Sequence, residues 1–160
     1  MQDTEKKELY RTLEAQARAL LEDESDRIAN AANLSALLFN GLPQLNWAGF
    51  YFLKDGELVV GPFQGKPACV RIPMGRGVCG TAAERRETIV VEDVNAFDDH
   101  IACDADSRSE IVVPLVGGND EVIGVLDLDA PVPSRFDEAD REGLERIAAA
   151  WMEAVQREHP

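Results

Sequence analysis

Residues Leu45–Gln64, LNWAGFYFLKDGELVVGPFQ, decide the fold. Aromatic and apolar residues run from Leu45 to Leu53, Asp55-Gly56 is a tight-turn pair, and Glu57 to Gln64 continues in the same style, so the stretch predicts a β-hairpin. Side chains alternate along a strand. Trp47, Gly49 and Tyr51 therefore share one face, while Ala48, Phe50 and Phe52 share the other, and at least one set must supply core.

Working outward, a third strand is expected over Ala68–Ile72, leading into the glycine-rich Met74-Gly75-Arg76-Gly77 and a short helix over Val78–Arg85. Thr88–Val91 predicts a fourth strand. Ile111–Val116 and Val122–Leu128 are β-branched runs joined by Gly117-Gly118-Asn119-Asp120, a second hairpin. Helices flank this block. Two open the chain, the second with Ile28, Ala31, Ala32, Leu34, Ser35 and Leu38 at three- and four-residue spacings behind a Ser25 cap, ending at Asn40-Gly41 and Pro43. The last begins near Asp137 and puts Leu144, Ile147, Ala148, Trp151 and Val155 on one apolar face. Tight turns between neighbouring strands imply an antiparallel sheet, and the fold class is α+β: one domain over residues 1–160, with N- and C-terminal helices packed on the sheet.

The chain has 160 residues, 45% hydrophobic and 29% charged, which is too apolar for disorder. Sixteen basic against thirty acidic residues leave a formal charge of −14. Such a surface repels phosphate backbones and anionic headgroups, so nucleic acid and membranes are not expected partners. The N-terminal segment is too charged for a secretory signal and no apolar run is long enough to span a bilayer, which points to the cytoplasm.

In that compartment Cys69, Cys79 and Cys103 are not a disulfide framework, leaving packing, metal binding or redox chemistry. Cys79 falls in the first turn of the helix after Gly77, where the positive end of the dipole favours thiolate. Cys103 sits with His100 on a polar loop, Asn95–Ser107, long enough to be functional. Cys69, Cys79, His100 and Cys103 offer zinc-type ligands, yet none forms a Cys-x-x-Cys pair and the spacings match no common zinc module, so no metal is expected. His159, near the end of the sequence, is expected to play no catalytic part. Gly75-Arg76-Gly77 lacks the pattern of a phosphate loop; it lets the backbone turn and approach a small ligand closely.

Asp127 and Asp129 alternate with Leu126 and Leu128 and so point to one face. Periodicity alone favours a solvated face. If buried, the two carboxylates, joined across the hairpin by Glu110, call for a cation such as an ammonium group.

The segments NWAGFYFL, GPFQGKPACVRIPMGRGVCGTA, VEDVNAFDDHIACDADSRSEIVVPL and IGVLDLDA together resemble the free methionine-(R)-sulfoxide reductases, which are GAF-fold proteins. The resemblance runs from about Asn46 to Ala130. It implies that Cys103 attacks the sulfoxide sulfur and is left as a sulfenic acid, which Cys79 or Cys69 then resolves as a disulfide. It implies that Glu110, Asp127 and Asp129 bind the substrate and assist protonation of its oxygen, while Trp47 and Tyr51 surround the methyl-sulfur end. It further implies no bound cofactor, thioredoxin as external reductant, free methionine sulfoxide as substrate, and a homodimer. The other reading of the same fold is a non-catalytic GAF module that binds a small ligand or senses redox state; with 160 residues leaving no room for an output domain, it would act through a partner.

Overall fold

A computed structural model describes residues 2–101 and 103–157, so His159 lies outside the described residues. Two helices lead, α1 (Asp3–Leu21) and α2 (Arg27–Gly41). The first hairpin is β1 (Trp47–Lys54) and β2 (Glu57–Gly65), followed by β3 (Arg71–Pro73), the helix α3 (Gly77–Arg85) and β4 (Ile89–Val91). A single 3₁₀ turn (Val94–Ala96) opens the long loop, then β5 (Ser109–Val116) and β6 (Val122–Ala130) form the second hairpin, and α4 (Glu138–Gln156) closes the chain. The strands make one sheet in the order β3-β2-β1-β6-β5-β4, every pairing antiparallel.

Local chemistry explains the boundaries. Asp55 and Gly56 both have positive φ, 51° and 83°, the geometry a two-residue hairpin turn requires. Asp137 caps α4 in a reciprocal capping box with Asp140. Helix α2 is capped by Asp26, whose Oδ1 accepts from Ala29 N at 2.8 Å, rather than by Ser25. The shift of one residue has a consequence: Ile28 sits in the first turn and is 55% exposed, and Ala32 is exposed as well, leaving Ala31, Leu34, Ser35 and Leu38 as the buried stripe. Strand β3 begins at Arg71, not Ala68, because residues 66–70 form an irregular segment tied to the sheet by a bond from Val60 N to Val70 O.

One face of the sheet is the main core. Ala48, Phe50, Phe52, Ile111, Leu126 and Leu128 pack there against α2 and α4, with Trp151 5.3 Å from Phe50. The apolar face of α1 (Tyr10, Leu13, Ala17, Leu21) is covered by α4 and α2. Between α1 and α4, Asp140 is fully buried, accepting from Tyr10 OH at 2.6 Å, Lys6 Nζ at 2.9 Å and Arg135 Nη1 at 3.2 Å. Gly143 permits this approach, since a Cβ there would run into the Tyr10 ring.

The opposite face carries Trp47, Tyr51, Val112 and Val125 and is covered by α3 and the segments on either side of it. No helix is long and apolar enough to cross a membrane among the described residues.

Candidate active site

Strand register builds the floor of the site. Trp47 pairs with Asp129, which pairs with Glu110, which pairs with Val91, so an aromatic ring and two carboxylates form one row across four strands. The next row on the same face is Gly49, Asp127 and Val112. Gly49 has a steric role: a Cβ there would collide with Phe63, whose ring stacks on Trp47 at 5.0 Å and 17°.

Asp127, Asp129 and Glu110 are 4%, 8% and 7% exposed, so the solvated face that periodicity favours is not what forms. The reason lies outside the strand: α3 and the loop after β4 fold over this face, which a period-two pattern has no means of reporting. Among the described residues no Lys or Arg side chain hydrogen-bonds these three carboxyls. Burial, and then the neighbouring carboxylates, hold all three well above the usual carboxylate range. Asp127 Oδ1 is buried without a hydrogen-bond partner.

The three cysteines converge here, in two different states. Cys69 and Cys103 form a disulfide with Cα atoms 5.2 Å apart, both half-buried. Cys79 is free and 5% exposed, with its Sγ 3.9 Å from Glu110 Oε2. Its place in the first turn of α3 is as expected, but the expected thiolate is not: burial, and then the charges of Asp127 and Glu110, push the thiol up. A helix end worth at most about 2 kcal/mol cannot offset that surrounding.

A cavity opens between these groups, lined by Trp47, Tyr51, Cys79, Cys103, Glu110 and the Asp127/Asp129 pair, with half-buried His100, Ile101 and Asp104 nearer its mouth. Every residue singled out from the sequence for this site therefore borders one space, except Cys69, which reaches it through its bond to Cys103.

Other contacts hold the walls, and they draw on Asn46, Lys66, Asp99, Asp104 and Asp106, which the sequence patterns do not single out. Trp47 Nε1 donates to Lys66 O at 3.1 Å and Tyr51 OH donates to Cys69 O at 3.3 Å, so the two rings pin the segment carrying Cys69. Lys66 pairs with Asp106 on the segment that follows Cys103. Asn46 Nδ2 donates to Asp104 Oδ2 and Ser107 Oγ, both at 3.0 Å. The Arg76 guanidinium grips Asp99 through two bonds of 2.6 and 2.8 Å, tying the start of α3 to the same loop. Gly75 and Gly77 have φ of 81° and 63°, the turn that brings Arg76 into position. An excess of Asp in the loop over Phe97–Ser107 is the local sequence sign of these contacts.

The curled six-stranded antiparallel sheet, backed by helices on one face and holding a pocket on the other, defines the class: this is a GAF domain, and the family model described as "GAF domain" matches residues 21–156. The chain is 55% identical over 144 residues to the free methionine-R-sulfoxide reductase of Escherichia coli, covering 90% of this chain and 87% of that protein. It superposes with a TM-score of 0.87 on fRMsr of Staphylococcus aureus in complex with substrate, at 54% identity over 91% of this chain and 95% of that one. It superposes with a TM-score of 0.92 on a putative GAF sensor protein from Burkholderia vietnamiensis, at 61% identity over 95% and 96% of the two chains. The chain belongs to the free methionine-R-sulfoxide reductase family.

Proposed function

We propose that the protein reduces free methionine-R-sulfoxide to methionine by thiol chemistry at the Cys69–Cys103 pair. The observation that carries this reading is the disulfide at the edge of a cavity floored by three buried carboxyls that have no Lys or Arg partner among the described residues. A free amino acid suits that floor: its ammonium group supplies the missing cation, and Trp47 and Tyr51 offer ring faces to the methyl-sulfur end.

In the reaction the Cys103 thiolate attacks the sulfoxide sulfur. A carboxyl of the Glu110, Asp127, Asp129 group, kept protonated by burial, delivers the proton that the departing oxygen needs. Oxygen passes to Cys103 as sulfenic acid and methionine leaves, two electrons richer. Cys69 then attacks the sulfenic sulfur, releasing water and forming the disulfide. Its proximity to Cys103 favours Cys69 over Cys79 as the resolving thiol. A dithiol of the thioredoxin type, present in the cytoplasm, returns both thiols to the reduced state. The homodimer uses a surface other than the apolar face of α1, which is covered within the chain.

The test is NADPH consumption with thioredoxin, thioredoxin reductase and free methionine-R-sulfoxide. Sustained turnover, lost by at least about 1,000-fold in Cys103→Ser, is expected. Ligand binding without turnover, or undiminished activity in Cys103→Ser, would favour a non-catalytic sensing module instead.

A further inference from the structure

The pocket contains a donor set that sulfoxide reduction uses only in part. Ligand atoms from Cys79, Glu110 and Asp127 lie within 4.8 Å of one another, all three side chains buried. Asp127 Oδ1, at the cavity wall, is buried and without a partner, which marks a place where the protein itself supplies no positive charge. One sulfur and two carboxylate oxygens suit a borderline-soft divalent ion, whereas Mg²⁺ and Ca²⁺ take oxygen alone. Tetrahedral zinc bond lengths put such donors about 3.4–3.6 Å apart, so side-chain rotations of about 1 Å close the site.

We propose that Cys79, Glu110 and Asp127 bind a thiophilic divalent cation, Zn²⁺ or Cd²⁺, inside the sulfoxide pocket, and that the bound ion competes with methionine sulfoxide. The ligand set is not the one the cysteine spacing argues against: it draws one residue each from α3, β5 and β6 and is assembled only by the fold. Half-buried residues at the mouth leave a route in. The binding rests on geometry alone; the competition rests on the function proposed above.

The oxidised protein gives a clean assay, because the Cys69–Cys103 disulfide leaves Cys79 as the free thiol. Titration of the full chain with Cd²⁺ is expected to give one ion per chain with a thiolate-to-cadmium charge-transfer band in the ultraviolet. Cys79→Ser abolishes the band, and the isosteric Asp127→Asn weakens binding by about 100-fold while far-ultraviolet circular dichroism matches the wild type. Cadmium binding with no such band, or with equal affinity in Asp127→Asn, means adventitious binding to the acidic surface and overturns the site. In turnover with a phosphine reductant, Zn²⁺ set by a chelator buffer is expected to raise the apparent KM for methionine-R-sulfoxide at least about tenfold with kcat unchanged. A flat KM at Zn²⁺ levels that fill the site overturns the competition. No turnover in metal-free protein overturns the reductase reading instead, and the cadmium band still stands or falls by itself.

Discussion

Asp140 and Asp127 are both carboxylates buried deep in the same domain, and they are treated in opposite ways. Asp140 is surrounded by Lys6, Arg135, the Tyr10 hydroxyl and the backbone of Asp137, all supplied by the chain. Asp127 has Glu110, Asp129 and Cys79 around it, and one of its oxygens has no partner. A fold that satisfies one buried charge within itself and leaves three others to protons and ligands separates structure from function along its two sheet faces. The first cluster stitches α1 to α4; the second waits for something from outside.

The largest effect should come from breaking the satisfied cluster. Asp140→Ala leaves the buried Arg135 guanidinium without its carboxylate and Lys6 with Asp137 alone, and is expected to cost about 3–5 kcal/mol in urea unfolding, with kcat/KM of the folded fraction unchanged. Asp127→Asn should do the reverse, lowering kcat/KM about 100-fold by removing an acid and an ammonium ligand, while stability holds or rises because a buried ionisable group is gone. If Asp127→Asn unfolds the protein and Asp140→Ala spares it, the contrast between the clusters is wrong.

A pH series sharpens the same point. The folded state keeps protons on Glu110, Asp127 and Asp129 that the unfolded chain releases near pH 4. Their stabilising contribution is therefore complete below about pH 4 and is lost as pH rises through the raised folded values, up to about 1.4 kcal/mol per pH unit for each proton involved. The melting midpoint should fall from mildly acidic to alkaline pH, and less steeply in Asp127→Asn. A smaller effect is expected at Tyr51, which acts as a positioning residue for Cys69. Tyr51→Phe loses the bond to Cys69 O, and disulfide formation after sulfenic acid should slow roughly fivefold, with methionine release in the first step changed less. Stopped-flow measurement of the two steps separates this from a merely structural loss.

Much of the fold is legible in local sequence because it is set locally. The β1 alternation, the Asp55-Gly56 turn and the Asp137 cap each carry their own signature, and each forms where that signature stands. The Ser25 assignment missed by one residue because Ser and Asp are near-equal caps and only the start of α2 decides between them. Burial of Asp127 and Asp129 was not legible from period-two spacing, since what covers them comes from α3 and a loop whose conformation depends on Asn46–Asp104 and Arg76–Asp99. Hairpin pairing joined Glu110 to Asp127 and Asp129, the family resemblance added the expectation that the three bind substrate, and the register brings them to one pocket. It left open whether Cys69 or Cys79 first resolves Cys103; the structure joins Cys69 to Cys103, and the order of the steps is part of the proposal. The suppressed thiolate of Cys79 was hidden for the same reason as the carboxylates, because a helix-dipole argument knows nothing of charges that arrive from other strands.

In the proposed reaction Cys103 takes the oxygen and Cys69 removes it, with Cys79 held as a thiol among acids. Peptide mapping by mass spectrometry after one stoichiometric turnover of fully reduced protein tests it most directly. A Cys69–Cys103 linkage with Cys79 still alkylatable is expected, and in Cys69→Ser a sulfenic acid trapped on Cys103. Oxygen or a disulfide found first on Cys79 in the wild-type chain would contradict it.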